Sequence, residues 1–267
     1  MAQVKINRTM LNYQLDGPPR GETVMLSNSL ASDLGMWKYQ VHALVDAGYR
    51  VLRYDNRGHG KSAASLGPYS LELLTEDALA LMDYLELDKI HFCGLSLGGM
   101  VGQMLGAFHS DRLISLALCA TGSQISLPDS EWKERIKAAR INGMEALAEG
   151  TLDRWFTKTG REHLREDVAK IRKSIISTSV EGYSGCVAAI RAMDLREIIR
   201  GISSPTLIIV GAKDQGTPVS ASEFIHKRIS ESSLKVIPDA AHFVNMEQHE
   251  MFNDCLITFL GENKIIK

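Results

Sequence analysis

The chain has 267 residues, 45% hydrophobic and 23% charged, a balance that excludes a disordered or fibrous chain and suits one sizeable buried core. Its formal net charge of -2 supplies no field to gather nucleic acid or an anionic membrane, so an anionic ligand would have to be held by local cations. The amino terminus MAQVKINRTMLNYQ lacks the apolar core of a secretory signal, and no later apolar run approaches the roughly 18 residues of a membrane span, so a cytoplasmic protein with no membrane or nucleic-acid partner is expected.

From the first apolar run onward, TVMLSNS, RVLRYD and KIHFCGLS are short and β-branched or apolar, and the stretches between them, WKYQVHALVDAG and LELLTEDALALMDYLEL, are longer and amphipathic. That alternation predicts β-α-β-α-β with a parallel sheet. GLSLGGMVGQMLGAFHS predicts a tight glycine turn running into a helix, and RLISLALCATG predicts the next buried strand. Over 123–197 strand-like runs vanish. Charged helical segments follow instead: SEWKERIKAARINGMEALAEG, REHLREDVAKIRKSII and YSGCVAAIRAMDLREII. This predicts a helical cap inserted into a core made of 1–122 and 198–267, packed directly on the sheet because no Pro/Gly-rich linker intervenes. PTLIIVGAKD and LKVIPDAAH then read as strands flanking the helical SASEFIHKRI, and EMFNDCLITFLGEN as a closing helix. Cys93, Cys119, Cys186 and Cys255 are widely spaced without a CxxC pair, so buried free thiols are expected in place of a disulfide scaffold or zinc site.

The candidate chemistry centres on Gly94-Leu95-Ser96-Leu97-Gly98-Gly99, between an apolar strand and a helix. A serine hydroxyl is a weak nucleophile, and a sharp glycine-flanked turn projects it toward a base while the helix amino terminus favours a developing oxyanion. The bland alternative is a glycine-rich strand-to-helix turn. His242 follows the last predicted strand in a turn near the chain's end, where the fold delivers its base, and it comes after both serine and acid in the required order. Asp214 ends LIIVGAKD at the carboxyl edge of a strand, where sites gather in open parallel sheets; its alternative is a turn aspartate beside Gly216. Asp239 is too close in sequence to His242 for an easy partnership. The oxyanion needs two backbone N–H donors, one from Leu97 and one from the loop Ser27-Asn28-Ser29-Leu30, where Leu30 is the choice on position. That loop departs from the commoner His-Gly.

With these residues in place the chain resembles the α/β-hydrolase superfamily over nearly its whole length, including Arg57-Gly58-His59-Gly60-Lys61-Ser62, a segment expected to be structural. SNSLASDLGMW, RVLRYDNRGHG, GPYSLELLTEDALALMDYL, FCGLSLGGMVG, RWFT at Arg154 to Thr157 and EGY at Glu181 to Tyr183 are similar to segments of the 3-oxoadipate enol-lactonases. Ala31-Ser32 and Gly216 depart from that pattern. The resemblance implies an α/β-hydrolase fold, a mostly parallel sheet flanked by helices with an inserted helical cap, and hydrolysis of an enol-lactone to 3-oxoadipate in aromatic degradation. No cofactor or metal is implied, because ring opening of an activated ester needs a serine alkoxide, a proton shuttle and an oxyanion hole. The substrate's carboxylate would need a cap cation. Arg135, one helical turn past Trp132, or Arg154 beside Trp155 would provide it, the alternative for each being a solvated helix face or aromatic packing. A general carboxylesterase, a cofactor-free haloperoxidase or perhydrolase would use the same triad, and a ligand receptor would retain the fold without rapid turnover.

Overall fold

The computed structural model describes residues 1–124 and 127–264; positions 125–126 of the expected cap and 265–267 of the expected core lie outside the described residues. The chain opens with β1 (Ala2–Ile6) and β2 (Thr9–Asp16), then β3 (Thr23–Ser27), α1 (Lys38–Asp46), β4 (Arg50–Tyr54), α2 (Leu71–Tyr84), β5 (Ile90–Leu95), α3 (Leu97–Phe108) and β6 (Leu113–Cys119). Next come α4 (Asp129–Asn142), α5 (Glu145–Trp155), α6 (Lys158–His163), α7 (Arg165–Ser177) and α8 (Val180–Arg191). The sheet resumes with β7 (Thr206–Gly211), α9 (Val219–His226) and β8 (Ser232–Ile237), before α10 (Val244–Glu247) and α11 (His249–Glu262).

Among the described residues the strands form one 8-stranded sheet in the order β1-β2-β4-β3-β5-β6-β7-β8. From β4 to β8 every pairing is parallel. Parallel strands need crossover helices, and those helices cover both faces, so the central strands are buried on both sides: TVMLS, IHFCGL and TLIIVG are buried at every position. The edge strand β8 differs, with Ser233, Lys235 and Val236 exposed, a charged edge that discourages further pairing.

The sheet has a part that the parallel reading did not include. β1 and β2 form an antiparallel hairpin, and β2 pairs antiparallel with β4. The hairpin turns through Asn7 and Arg8, both in the left-handed region at φ 40 and 59, the geometry that a two-residue turn requires. Val4 and Leu11 are buried cross-strand partners flanked by the exposed Gln3, Lys5 and Met10, but Asn12 is buried as well, bonded to Asp55, so no clean period-two pattern stands out in the sequence. Helix breaks were also less visible than helices. SEWKERIKAARINGMEALAEG splits into α4 and α5 at Gly143, whose φ of 73 ends the first helix, and REHLREDVAKIRKSII splits at Leu164 into α6 and α7.

The helices between β6 and β7 leave and rejoin the sheet at one neck, where Gln124 and Asp194 form an antiparallel bridge and the Leu195 N–H donates to Ser123 O at 2.7 Å. They pack on the core at backbone distance. A Cβ at Gly182 on α8 would lie 2.4 Å from Gly58 O, so only glycine lets α8 settle on the turn after β4. On the opposite side Lys38 and Tyr39 of α1 meet Asp167 of α7, the tyrosine hydroxyl at 2.7 Å. The RGHG segment is likewise structural: Arg57 Nε donates to Asp77 Oδ2 at 2.9 Å in a buried pair. The four cysteines are free, but Cys255 is only half-buried, unlike the other three. Among the described residues no helix is long and apolar enough to cross a membrane.

Candidate active site

Ser96 sits between β5 and α3 with φ 56 and ψ -112, a left-handed conformation that L residues adopt at a cost of roughly 1–3 kcal/mol. The surroundings hold it there. Its N–H donates to Cys119 O at 2.9 Å, and its carbonyl accepts the Thr121 hydroxyl at 2.8 Å. The flanking glycines are demanded by contact: a Cβ on Gly94 would lie 2.1 Å from Gly98 O, and one on Gly98 would lie 2.2 Å from Ser27 O. The turn is therefore a compressed strand-to-helix elbow, with Ser96 at its apex and the Leu97 N–H at the first position of α3.

Leu30 lies across the pocket on the loop after β3. A residue that sequence reasoning passed over, Asn28, organises this loop. It is fully buried; its Nδ2 donates to Tyr54 O at 2.8 Å, its Oδ1 accepts Trp37 Nε1 at 2.9 Å, and its carbonyl accepts Gly98 N–H at 3.0 Å and Asn56 Nδ2 at 3.0 Å. Asn28 thus ties the Leu30 loop to the serine elbow. Ala31 follows at φ 57, where the resembled pattern has glycine, so the loop keeps a left-handed turn without one. Neither the Leu30 nor the Leu97 N–H donates to another protein group among the described residues, which leaves both available to a ligand oxygen.

Asp214 and His242 are brought together from the loops after β7 and β8. His242 Nδ1 lies 2.8 Å from Asp214 Oδ2. Asp214 is a turn aspartate as well as a partner of His242: Oδ1 accepts the N–H groups of Gly216 at 2.8 Å and Thr217 at 3.0 Å, and Oδ2 accepts the Thr217 hydroxyl at 2.7 Å. Burial alone would raise this carboxyl's pKa, but the adjacent His242 and the Thr217 donors hold it below the ordinary value. Thr217, three residues on, was missed in the sequence because a lone threonine after an acidic turn carries no pattern. Asp239 is elsewhere, exposed and paired with Lys213 at 2.7 Å.

Ser96 and His242 line the same pocket of about 330 Å³, a size suited to a small molecule. They share no hydrogen bond among the described residues. The pocket roof carries Trp132, Arg135, Arg154 and Trp155, together with Tyr183. Tyr183 belongs to the EGY segment but was not singled out as a site residue; the similarity of the segment was its signal. Arg135 and Arg154 were set out as alternatives, and both line the pocket. Arg135 stacks on Trp132 at 5.1 Å and lies 3.7 Å from Glu131. Arg154 donates to the Thr151 hydroxyl at 3.1 Å, and no carboxylate forms an ion pair with it among the described residues. Burial, and after it the nearby Arg135, pull the Arg154 guanidinium below its ordinary pKa. Burial pushes the Tyr183 hydroxyl up to about 12, against the pull of the two arginines. Trp155 stacks on Phe243 at 4.2 Å, beside His242.

A hydroxyl on a strained elbow, an imidazole facing a buried carboxylate and two N–H groups without an acceptor among the described residues are the kinds of group that acyl transfer to water uses. The mostly parallel sheet with its helical insertion is that of a hydrolase: residues 22–248 match the family described as alpha/beta hydrolase fold, to which the chain belongs. It is similar to two 3-oxoadipate enol-lactonases of Acinetobacter baylyi, enol-lactonase 2 at 35% and enol-lactonase 1 at 37% identity, each alignment covering 91% of this chain and 90% of the relative. Among solved structures it resembles the enol-lactonase from Burkholderia xenovorans, with 40% identity and a TM-score of 0.94 over 97% of this chain and 100% of that one. A thermophilic esterase from Thermogutta terrifontis, solved with malate bound, superposes with a TM-score of 0.93 at 29% identity over 99% of this chain and 100% of that one.

Proposed function

We propose that this hydrolase opens 3-oxoadipate enol-lactone to 3-oxoadipate in the degradation of aromatic compounds, with 123–197 as the cap that selects the substrate over the core of 1–122 and 198–267. The observation that carries the reading is Arg154, a largely buried pocket cation with no carboxylate partner among the described residues, beside Arg135 and Tyr183. A buried charge is costly unless something compensates it, and a substrate carboxylate above the serine would do so. The similarity to enol-lactonases supports the same choice. Free thiols suit a reducing compartment, and we infer a cytoplasmic enzyme acting on a small molecule.

The proposed chemistry is acyl transfer to water, supported by the His242–Asp214 hydrogen bond and by the place of Ser96 in the same pocket. Ser96 Oγ attacks the lactone carbonyl as His242 Nε2 takes its proton, and the N–H groups of Leu30 and Leu97 receive the oxyanion. Collapse breaks the bond to the enol oxygen, His242 returns its proton to that oxygen, and the enol rearranges to the ketone. A water deprotonated by His242 then attacks the acyl ester and frees Ser96. Asp214 stays ionised throughout and fixes the imidazole, with Trp132 and Trp155 walling the pocket.

Arg154→Met and Arg135→Met test the recognition step, since methionine keeps much of the side chain's bulk without the charge. Catalysis on the anionic lactone should weaken by about 2 to 5 kcal/mol if the ion pair with substrate is buried, while a neutral aryl ester is nearly unaffected. Equal losses on both substrates would mean cap packing, and the absence of a selective loss in both variants would leave a general esterase. A chelator is expected to leave turnover unchanged; activity lost to the chelator and restored by a metal would overturn the cofactor-free mechanism.

A further inference from the structure

Glu247, the last residue of α10, is half-buried and lies outside the proposed triad. Its carboxylate faces two parts of the molecule. Oε2 accepts the N–H of Ala241, the residue before His242, at 2.7 Å. Oε1 accepts the N–H and the hydroxyl of Thr157, at 2.8 and 2.6 Å. Thr157 closes the RWFT segment whose first two residues, Arg154 and Trp155, line the pocket. A backbone bond from Phe243 N–H to Trp155 O, at 2.9 Å, ties the residue after His242 to the same segment. His242 is thus bracketed on both sides by attachments to the helical insertion.

Other features point to a position that matters. A Cβ at residue 160 would lie 2.0 Å from Glu247 Oε1, so the carboxylate reaches its place because that residue is glycine. Glu247 has no ion-pair partner among the described residues, and three hydrogen bonds to protein donors offset its burial instead. Burial raises its pKa above the ordinary range despite the opposing pull of the Thr157 and Ala241 donors.

We propose that Glu247 is a positioning residue: by joining the turn that carries His242 to the segment that carries Arg154 and Trp155, it holds the imidazole in register with the wall that orients the substrate. This rests on the mechanism proposed above. A carboxylate can accept from both sides at once, whereas an amide cannot. Glu247→Gln keeps the size but turns an NH2 toward a donor, which forces one of the two attachments apart. Displacing a catalytic group by about 1 Å costs on the order of 10²-fold in rate.

The test measures kcat and KM on a neutral aryl ester, together with the rate at which a fluorophosphonate labels Ser96, all normalised to the folded fraction read by circular dichroism. In Glu247→Gln, kcat and the labelling rate should both fall by roughly 10- to 100-fold with little change in KM. Thr157→Val, which puts a methyl group in place of the hydroxyl and so removes its bond to Glu247 Oε1 together with its cap on the Gly160 N–H while keeping the backbone bond to Glu247, should produce a smaller loss of the same kind. Full labelling and turnover rates per folded Glu247→Gln molecule would overturn the proposal, because only stability would then depend on the carboxylate. If that variant does not fold, Thr157→Val decides: an unchanged kcat overturns the proposal and a reduced kcat at constant KM supports it. The underlying mechanism has its own control, since labelling of the unaltered protein away from Ser96, or unslowed labelling in His242→Ala, would remove the mechanism and with it this role for Glu247.

Discussion

Replacing Ser96 with alanine should abolish turnover, by a factor on the order of 10⁴ or more, while the protein stays folded. The loss is that large because the attacking atom itself is removed, and what remains is binding and the N–H pair of Leu30 and Leu97. The fold should survive because the bonds that hold the elbow, from Ser96 N–H to Cys119 O and from Thr121 to Ser96 O, are made by backbone atoms of residue 96 and persist in the variant. Alanine bears a Cβ like serine, so the strain at φ 56 is neither relieved nor increased. Thermal unfolding should therefore change little. A serine-directed phosphonate should label the unaltered protein once, at Ser96, and the variant not at all; stoichiometric labelling at any other residue would sink the assignment.

Asp214→Asn should slow turnover by on the order of 10⁴, and the hydrogen bonds around Asp214 give the reason. The carboxylate accepts from four donors: Gly216 N–H, Thr217 N–H, the Thr217 hydroxyl and His242 Nδ1. An amide has one acceptor oxygen. Two backbone N–H groups converge on the Oδ1 side and cannot turn away, so the amide oxygen is expected there and the NH2 toward His242. Nδ1 must then accept, the ring proton moves to Nε2, and the nitrogen that should take the serine proton is occupied. The lost negative charge also removes support for the imidazolium. The turn should survive, since its two backbone bonds remain. Nitrogen NMR of the His242 ring would report the tautomer directly, and near-normal turnover in this variant would move the acid to another residue.

Much of this was legible in the sequence because it is local. Gly94-Leu95-Ser96-Leu97-Gly98-Gly99 follows an apolar strand and precedes a helix, and those neighbours are enough to predict a sharp turn. The buried parallel strands stand out as continuous apolar runs because both their faces are covered. The hairpin of β1 and β2 was missed for the opposite reason: Val4 and Leu11 are its buried apolar residues, too few to distinguish alternation from chance, and the other buried positions, Thr9 and Asn12, are polar. The break at Leu164 was missed because helix-forming composition continues across it, whereas Asn142-Gly143 carries a stop signal that was passed over between two helical runs.

The sequence by itself determined the order and type of the central elements, the elbow, and the chain order of Ser96, Asp214 and His242, since propensity and period act over a few neighbouring residues. Only the tertiary structure decided what meets across the pocket. It brought Arg135 and Arg154 to one wall with Tyr183, where the sequence offered the arginines as alternatives. It gave Asn28 the Leu30 loop to hold, Thr217 the carboxylate to steady, and Glu247 two distant segments to join, Thr157 and Ala241. Asn28 and Glu247 are lone polar residues whose partners Tyr54 and Thr157 lie far away along the chain, and Thr217, although only three residues from Asp214, is a lone threonine whose place beside the carboxylate and His242 is set by the folded turn. A polar side chain's role depends on which donors and acceptors burial leaves it, and that is set only when the strands, loops and inserted helices have packed.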